Sequence, residues 1–480
     1  MKFSPSVQDL LKIILKIAKT RKVKLYVVGG YLRDILLKRE KENPDIDFCL
    51  KRGAINFAKG LARRMRAGFV VLDKAHGCAR IVKKINGQVY TLDFTDFRGK
   101  TLEEDLKHRD FTINSLCVEL DRLLLYPKLD DVLIDPYGGR QDLTARIIKL
   151  VNNKAFDEDP LRLLRAFSLA ITLDFKIDRQ TLKAISLKAK KLSGVSFERI
   201  RDELFKILDR SGSFEYLVQL DKLKLLKIII PEIEVMRGVK QGPYHHLDVW
   251  QHTLETVKQL ELLIVGMKNN PEVKNYLDEV ISSNRSRRAL IKLGALLHDI
   301  GKPAARRREG GKTKFHGHER VGFNISKDIA WRLKLSNDEL ESLKRMIVWH
   351  LRPGYLADND QISPRAKFRY FRDTGKESVS VLLISIADQR ATCGPLTSRE
   401  SRLYHEKVAR DLLKEYFRKN KQKKPPRLVT GDDLIRKFKL KPSPLIGKIL
   451  QELEELQAIG KIKTKPAALK AARSLISAAP

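Results

Sequence analysis

The sequence has little cysteine and no long apolar run. Its four cysteines lie far apart and form no C-x-x-C pair, which argues against a disulfide scaffold and against a cysteine-ligated zinc site. No apolar stretch approaches the roughly 18–20 residues that a membrane-spanning helix needs. The early segment LLKIILKIAK carries lysines at helical spacing, so it predicts an amphipathic helix and not a signal peptide. We therefore expect a cytoplasmic protein with no membrane partner.

Acidic residues are scarce relative to basic ones. The 480 residues include 95 Lys and Arg against 59 Asp and Glu, a formal net charge of +36 that is spread along the chain. A surplus this large favours a polyanionic partner, most simply nucleic acid, because neutralising phosphates releases counterions. The length exceeds what one hydrophobic core supports, which predicts roughly two to four domains.

Two kinds of pattern divide the chain. Up to about residue 135, strand-like runs alternate with short helical patterns, which predicts an α+β domain; the runs are LYVVGG, IDFCL, FVVLD, ARIVKK and VYTLDFTDF. From about Phe156 to about Arg418, apolar residues recur at three- and four-residue spacing, which predicts helices. KNKQKKPPR (419–427) is typical of an exposed basic linker, and TGDDLI after it resembles a capping box.

The segment DIDF places two carboxylates inside an apolar strand. Because strand side chains alternate, Asp45 and Asp47 point to the same face, with Cα atoms about 6.6 Å apart. This spacing lets both carboxylates converge on a pair of divalent ions, as in two-metal phosphoryl transfer. Asp93 is our preferred third acid over Asp96, because it directly follows an apolar run, as Asp45 does. Two solvated aspartates on an edge strand are the alternative.

A glycine pair precedes these acids. Gly29 and Gly30 end the strand LYVV, and YLRDILLK begins a helix. A strand–Gly–Gly–helix turn exposes backbone N–H groups where phosphate binds well, and Arg33 in the first helical turn can reach the same anion. A turn that needs glycine only for steric reasons would explain the pair but not the neighbouring acids. The combination predicts a nucleotidyl-transfer site.

The segment EDPLRLLRA has two interpretations. Asp159 followed by Pro160 predicts a helix start, and Arg162 and Arg165 then lie three residues apart on one face. A capped helix with surface arginines explains much of this. However, a carboxylate beside a guanidinium can also read a base edge, since it accepts from the exocyclic amine of C or A while the guanidinium donates to ring acceptors.

Four motifs occur in the order seen in class II tRNA nucleotidyltransferases and bacterial poly(A) polymerases: GGYLRDILL…DIDF, RDFTINSL, DPYGGRQDL and EDPLRLLRA. The catalytic head of these enzymes is similar to DNA polymerase β. The resemblance covers at least residues 23–235. The chain departs from the family at His108 and Ser168, where relatives often carry arginine. The resemblance implies Mg²⁺ at Asp45 and Asp47, triphosphate at Gly29, Gly30 and Arg33, nucleotide contacts by Arg109, Asp110 and Asn114, and selection of C or A by Asp159 and Arg162, with Arg165 an additional contact.

Histidines and aspartates form a second pattern, in or beside helical-looking segments: His252, His298, Asp299, His318, His350 and Asp388. Imidazoles with carboxylates and no thiolate suit Mn, Fe, Ni, Zn or Mg. The pattern resembles the HD phosphohydrolase superfamily over roughly 240–395. That resemblance implies a divalent metal, of open identity, and phosphate-ester hydrolysis by a phosphatase or 2′,3′-cyclic phosphodiesterase. A purely structural domain is the alternative.

Together these features predict an α+β fold class. We expect a polymerase β-like head with a small mixed sheet and helices (1–135), an all-α neck that selects nucleotides and binds RNA (136–235), an all-α HD domain (236–418), and a basic linker with a small helical tail (419–480). The expected function is template-independent addition of CCA, or of its terminal A, to tRNA 3′ ends from CTP and ATP, with Mg²⁺ and release of pyrophosphate.

Other functions stay open at this point. Addition of only the two Cs and poly(A) addition use the same motifs, although the HD fusion and the lack of a long basic extension favour tRNA. The chain could also be an HD phosphohydrolase acting on RNA ends, with the head as an RNA-binding module, or a structural RNA-binding protein. The oligomeric state and the need for a partner enzyme are not predicted.

Overall fold

The computed structural model describes residues 4–39, 43–359, 361–421 and 426–477. Two compact units are present: the first consists of Met1–Ile207 and Gln219–Ile229, and the second of Leu208–Val218 and Ile230–Pro480. The first unit thus contains the predicted head and most of the predicted neck, and the second contains the HD region and the tail. The finer four-part division stays a prediction.

A six-stranded mixed sheet forms the centre of the first unit. The strands are β1 (Tyr26–Val28), β2 (Asp45–Leu50), β3 (Gly68–Asp73), β4 (Cys78–Ile85), β5 (Gln88–Asp96) and β6 (Cys117–Glu119). Across the sheet the order is β3-β4-β5-β2-β1-β6, in which β2 and β5 are parallel and the other neighbours are antiparallel. The first five strands confirm the sequence prediction. The sixth was not predicted, because the helix α5 (Leu120–Leu125) follows it directly and no turn residue marks its end, whereas the glycine pair marks the end of β1.

Helices cover the sheet and continue beyond it: α1 (Pro5–Thr20), α2 (Gly30–Leu36), α3 (Ala54–Met65), α4 (Leu102–Lys107), α5 (Leu120–Leu125), α6 (Gly139–Thr144), α7 (Ala155–Glu158), α8 (Arg162–Leu173), α9 (Arg179–Lys188), α10 (Phe197–Leu208), α11 (Ser213–Lys222) and α12 (Leu225–Ile229). Short 3₁₀ helices lie at Thr112–Asn114, Leu129–Asp131 and Ala189–Gly194. A two-residue parallel ladder joins β7 (Ile147–Ile148) to β8 (Lys176–Ile177), a small addition to the predicted all-α neck.

The two faces of β2 have different roles in packing. Ile46 and Phe48 are fully buried, whereas Asp45 is exposed and Asp47 is partly buried. Phe48 stacks on Phe94 of β5 at a centroid distance of 4.8 Å, and Phe57 of α3 packs on the same ring at 5.6 Å. Burial of each such ring contributes about 1.5–3 kcal/mol. This core therefore fixes the register that leaves the acids on the opposite face.

The second unit is mainly helical, as predicted. Its helices are α13 (Val249–Gly266), α14 (Pro271–Asp278), α15 (Arg287–Leu297), α16 (Lys302–Ala305), α17 (His318–Arg332), α18 (Asn337–Trp349), α19 (Arg352–Ala357), α20 (Pro364–Thr374), α21 (Ser378–Ala391), α22 (Arg399–Asn420), α23 (Gly431–Phe438), α24 (Pro444–Ala458) and α25 (Lys465–Ser477), with 3₁₀ helices at Pro231–Met236 and Gly375–Glu377. Two short antiparallel ladders were not predicted: β9 (Val280–Ser282) with β10 (Arg285–Ser286), and β11 (Arg307–Glu309) with β12 (Lys312–Lys314).

The tail helices α23–α25 share a small apolar core around Leu434 and Ile449. The predicted capping box is confirmed at Thr430, whose hydroxyl accepts from the Asp433 amide while the Asp433 carboxylate accepts from the Thr430 amide. The predicted linker 419–427 lies partly outside the described residues, since 422–425 are not described. Within the described part of the chain, no helix combines the length and apolar character needed to cross a membrane.

Candidate active sites

Three aspartates lie on one face of the central sheet. The parallel register pairs Asp47 with Asp93 and Asp45 with Thr91. Asp45 therefore lies two residues before Asp47 on the same face, and Asp93 lies beside Asp47 on the neighbouring strand. The structure thus brings together the three acids that the sequence analysis singled out.

The turn after β1 brings the glycine pair against Asp47. Gly29 has φ +79°, in the left-handed region that favours glycine. A Cβ at this position would lie 3.2 Å from Arg109 Nη1 and 3.3 Å from Asp47 Oδ2, so a side chain would crowd both groups. Gly30 begins α2, and its Cα faces the guanidinium of Arg33.

Asp47 ionises less readily than an ordinary aspartate. Burial and the neighbouring charges of Asp93 and Asp45 raise its pKa to about 6, although Arg109 and Arg165 act in the opposite direction. These grouped carboxylates repel one another when they are ionised, and a bound divalent cation would offset that repulsion. Oxygen ligands of this kind suit Mg²⁺.

A chain of hydrogen bonds links α2 to α8 through the RDFTIN segment. Arg33 Nη1 donates to Asn114 Oδ1 at 2.7 Å, and Asn114 Nδ2 donates to Asp110 Oδ1 at 3.0 Å. Asp110 Oδ2 then lies 3.1 Å from Arg165 Nε. Burial opposes ionisation of Asp110, but Arg165 and Asn114 lower its pKa. Four residues expected to contact the nucleotide thus form one connected network.

Arg109 lies between this network and the acids. Its Nη2 is 3.4 Å from Asp105 Oδ2, and Asp105 is itself buried. Its Nε is buried and has no hydrogen-bond partner among the described residues. The guanidinium nonetheless presents its positive charge beside Gly29 and Asp47, where an anion bound at the glycine turn would lie close to it.

The environments of Asp159, Arg162 and Arg165 differ. Asp159 Oδ2 accepts from Arg199 Nη2 at 2.8 Å, and Oδ1 accepts from the Leu161 amide. Arg162 is only 6% exposed and donates to the carbonyl oxygens of His108 at 2.7 Å and Ala155 at 3.1 Å. The Arg165 side chain, by contrast, is 48% exposed.

Helix α8 begins at Arg162, two residues after Pro160, the predicted first helical residue. The physical reason is that residues 159–164 form hydrogen bonds of the i→i+3 type, which give a tight turn before the α-helix. At the two positions where relatives often carry arginine, the residues of this chain each contact a glutamate. His108 Nδ1 lies 2.8 Å from Glu158, and Ser168 Oγ donates to Glu203.

The second candidate site lies in the second unit. His252 is on α13, His298 and Asp299 follow α15, and Asp388 is on α21. His252 Nε2 is 2.9 Å from Asp388 Oδ1 and 3.5 Å from Asp299 Oδ2. The remaining members, His318 at the start of α17 and His350 after α18, approach Asp299 Oδ1 through Nε2 at 3.2 and 3.8 Å. All six residues of the predicted cluster therefore converge.

This cluster has the donor set of a divalent metal centre. Nδ1 of His298, His318 and His350 lies 2.7–2.9 Å from the carbonyl oxygens of Ala295, Phe315 and Ile347, respectively. Such bonds fix the tautomer that presents Nε2 as a ligand. Potential ligand atoms of His252, His298 and Asp299, and likewise of Asp299, His318 and His350, lie within 4.8 Å of one another.

Protonation in this cluster also suits a cation. Burial and the nearby His298 and His318 lower the pKa of His350 to about 3, so its imidazole is neutral at physiological pH. Burial opposes ionisation of Asp299, but His298 and Lys302 hold the pKa of this carboxyl well below its usual range. A neutral imidazole beside an ionised carboxylate is a ligand pair for Mn, Fe, Ni, Zn or Mg.

Sequence reasoning missed three charged residues in these sites. Lys302 Nζ lies 2.6 Å from Asp299 Oδ2, which its spacing three residues after Asp299 could have suggested. Arg199 pairs with Asp159 from a distant helix, and no local pattern points to that contact. Arg80 pairs with Asp93, and this contact was predictable: the Asn-Gly loop at Asn86 closes a two-residue hairpin, and counting back from it sets Arg80 opposite Asp93.

Four family models match the chain in sequence: the poly A polymerase head domain (25–149), the probable RNA and SrmB- binding site of polymerase A (174–236), the HD domain (249–393) and the tRNA nucleotidyltransferase domain 2 (401–472). The first spans the sheet and its acids, and the third spans the whole histidine–aspartate cluster.

Curated relatives match over nearly their full length. An A-adding tRNA nucleotidyltransferase from Deinococcus radiodurans is 31% identical over 446 residues, which covers 91% of this chain and 92% of that protein. CC-adding tRNA nucleotidyltransferases from Synechocystis sp. and Thermus thermophilus are each 29% identical and cover 94% and 92% of this chain and 93% and 91% of those proteins, respectively.

Solved structures agree in fold. The Thermotoga maritima CCA-adding enzyme complexed with tRNA has a TM-score of 0.64 at 22% identity, and covers 98% of this chain and 96% of that one. A CCA-adding enzyme with ATP gives 0.65 at 20% identity with the same coverage. The predicted fold class is confirmed, and with it the resemblance found in the motifs. The chain belongs to the tRNA nucleotidyltransferase and poly(A) polymerase family of nucleotidyltransferases, in the form that carries an HD domain behind the head.

Proposed function

We propose that the protein adds C and A residues to tRNA 3′ ends without a nucleic-acid template, producing CCA or its terminal A from CTP and ATP. The observation that carries the proposal is the convergence of the acid face, the glycine turn and the Arg33–Asn114–Asp110–Arg165 network in one unit. Full-length relatives that add A or CC to tRNA support the substrate.

Within this proposal the chain supplies both position and charge. Gly29 lets the triphosphate approach the backbone beside Asp47, while Arg33 and the Arg109 guanidinium beside Gly29 neutralise phosphate oxygens. Asp45, Asp47 and Asp93 would hold divalent ions, which we propose to be Mg²⁺. When bound, these ions would supply charge neutralisation for attack of the RNA 3′-hydroxyl on the α-phosphate and for release of pyrophosphate.

Base selection falls to the EDPLRLLRA segment. The Asp159 carboxylate can accept from the exocyclic amine of C or A, which lies beside a ring acceptor on the Watson–Crick edge; U and G offer no such pair on that edge. Arg162 can donate to a ring acceptor only after it releases the carbonyls of His108 and Ala155. In this conformation the half-exposed Arg165 is better placed than Arg162 to donate a hydrogen bond to the base. Arg162 instead stabilises the turn before α8 through its bonds to the two carbonyls.

The test is incorporation of labelled CTP and ATP into tRNA that ends before CCA, after C, and after CC, with Mg²⁺. Addition of C, C and A to the shortest tRNA would establish a complete CCA-adding enzyme. Labelling of only the CC-ended tRNA, and only from ATP, would establish an A-adding enzyme that needs a partner. Addition of A to unrelated RNA would instead indicate a poly(A) polymerase, and no labelling at all would refute the proposal.

The histidine–aspartate cluster supports a second activity, hydrolysis of phosphate esters. The specific observation is the set of imidazoles pinned through Nδ1 around the ionised Asp299. A divalent metal of open identity would supply an activated water there. The test is hydrolysis of a 2′,3′-cyclic nucleotide and of a generic phosphomonoester, each with Ni²⁺, Mn²⁺ or Mg²⁺. If neither substrate is hydrolysed with any of these metals, the proposed hydrolytic activity of the cluster is refuted.

A further inference from the structure

Arg80 of β4 faces the acid face of the sheet. The hairpin register pairs Arg80 with Asp93, and the parallel register pairs Asp93 with Asp47, so the three side chains form a row across adjacent strands. Arg80 Nε and Nη2 each lie 2.8 Å from a different oxygen of Asp93. This bidentate geometry gives the strongest charge-assisted hydrogen bonds of a carboxylate.

The pair competes with the role proposed for Asp93. A carboxylate that binds a metal must direct an oxygen lone pair at the ion, and the two hydrogen bonds to Arg80 use one lone pair of each Asp93 oxygen and fix the orientation of the carboxylate. The cationic guanidinium also repels a divalent ion beside Asp47. Yet the pair is not sealed in the core, since 42% of the Arg80 side chain and 19% of that of Asp93 are exposed. Such a pair can open at modest cost.

We propose that Arg80 is a positioning residue that holds Asp93 in the metal-free head and releases at least one of its oxygens when a divalent cation binds beside Asp47. The inference rests on the proposed function, because it takes Asp93 as a member of the cation site. Arg80 then lowers the affinity of the acid face for metal, and it holds the Asp93 carboxylate in one orientation until a divalent ion binds. A purely structural cross-strand pair would instead leave metal affinity unchanged.

The experiment measures Mn²⁺ binding to the full chain by electron paramagnetic resonance without nucleotide. The head-site signal is defined as the part lost in Asp47→Asn, which separates it from binding at the histidine–aspartate cluster. We expect Arg80→Gln to bind Mn²⁺ at this site about tenfold more tightly, the order expected for removing one nearby charge. Arg80→Lys, which keeps the charge but cannot bind both oxygens, should give a smaller gain. Lys84→Gln removes an exposed charge on the same strand and should change nothing.

A double-mutant cycle identifies the mechanism. In the Asp93→Asn background, Arg80→Gln should give a clearly smaller gain, because the charge repulsion still disappears but no carboxylate remains to be released. Unchanged or weaker Mn²⁺ binding in Arg80→Gln overturns the inference, as does an equal gain with and without Asp93. If Asp47→Asn loses no Mn²⁺ signal yet still adds nucleotides, the proposed function of the acid face fails as well. Thermal melting of each variant checks that β4 and β5 are still folded.

Discussion

Arg165 Nε lies 3.1 Å from Asp110 Oδ2, and this ion pair joins helix α8 to the RDFTIN segment. Asp110 is buried, and its other oxygen accepts from Asn114 and from the Phe111 amide. One carboxylate therefore sets the position of a residue expected to contact the nucleotide and of an arginine beside the base-selecting turn. A change at Asp110 should act on nucleotide binding without removing any group that touches the reacting phosphate.

The first prediction concerns Asp110→Asn. Asparagine keeps one acceptor oxygen and puts an amide nitrogen in place of the other, so either Asn114 or Arg165 loses its acceptor and should shift. We expect KM for ATP to rise about 10- to 100-fold, the range that corresponds to losing a hydrogen bond to a charged group. Steady-state kinetics of A addition would measure the change. Asp131→Asn, an exposed aspartate of the same unit, is the control, and an unchanged KM in Asp110→Asn would refute the network's role.

The second prediction concerns pH and Asp47. Its pKa is raised to about 6, above the value near 4 of an unfolded aspartate. Between these values the folded protein binds more protons, so stability falls as pH rises through this window, and the full penalty applies above about pH 6. Asp47→Asn removes the charge. We expect it to stabilise the first unit by up to about 2 kcal/mol at pH 7.5, and hardly at all near pH 4.

Thermal melts in EDTA at several pH values would measure this difference. Asp73→Asn is the control, because hydrogen bonds with His76 lower the pKa of Asp73 and its removal should not stabilise the protein. A variant Asp47→Asn that is less stable than the parent at pH 7.5 would contradict the pKa assignment. Added Mg²⁺ should stabilise the parent more than the variant.

The third prediction separates the histidine–aspartate cluster from a structural role. His318→Ala removes an Nε2 ligand that faces Asp299, whereas His316→Ala changes an exposed histidine two residues earlier. We expect the first variant to lose about 10- to 100-fold in metal affinity, the loss typical of damage to a metal site, and the second to bind normally. Metal content by mass spectrometry is the measurement. Equal metal content in the two variants would show that the cluster binds no ion through His318.

The fourth prediction concerns how the tail is attached within the second unit. Glu455 of α24 is fully buried and is contacted by Arg365, Arg369 and Arg372 of α20. Because these arginines are partly exposed, we expect Glu455→Ala to cost only about 1–3 kcal/mol. Limited proteolysis should then release the tail faster. Glu454→Ala, which breaks an exposed pair with Arg427, should be cut at the parental rate, and equal rates would refute the attachment.

The sequence alone was sufficient for the geometry of the acid face, which depends on alternation within a strand. The shared face of Asp45 and Asp47 followed from side-chain period, and the placement of Asp93 followed from the end of an apolar run. The convergence of six histidine and aspartate side chains could only be expected through family resemblance, because they come from five separate helical segments.

Other features depend on tertiary contacts that no local pattern specifies. Arg162 was expected at the base, but its guanidinium lies against the backbone carbonyls of Ala155, in the preceding helix, and of His108, on a segment more than fifty positions earlier. Arg199 reaches Asp159 from forty positions away. The packing of α10 brings Arg199 to Asp159, and the spacing of the two residues in the sequence does not predict this contact.

In strands β2 and β5, residues of the candidate active site alternate with residues of the hydrophobic core. Odd-numbered residues such as Asp47 and Asp93 lie on the reactive face, and even-numbered residues such as Phe48 and Phe94 form the core. A point substitution on one face therefore leaves the side chains of the other face in place. A single inserted or deleted residue would instead turn carboxylates into the aromatic core and rings onto the reactive face at once. These strands should tolerate changes of residue type at many positions but no change of length.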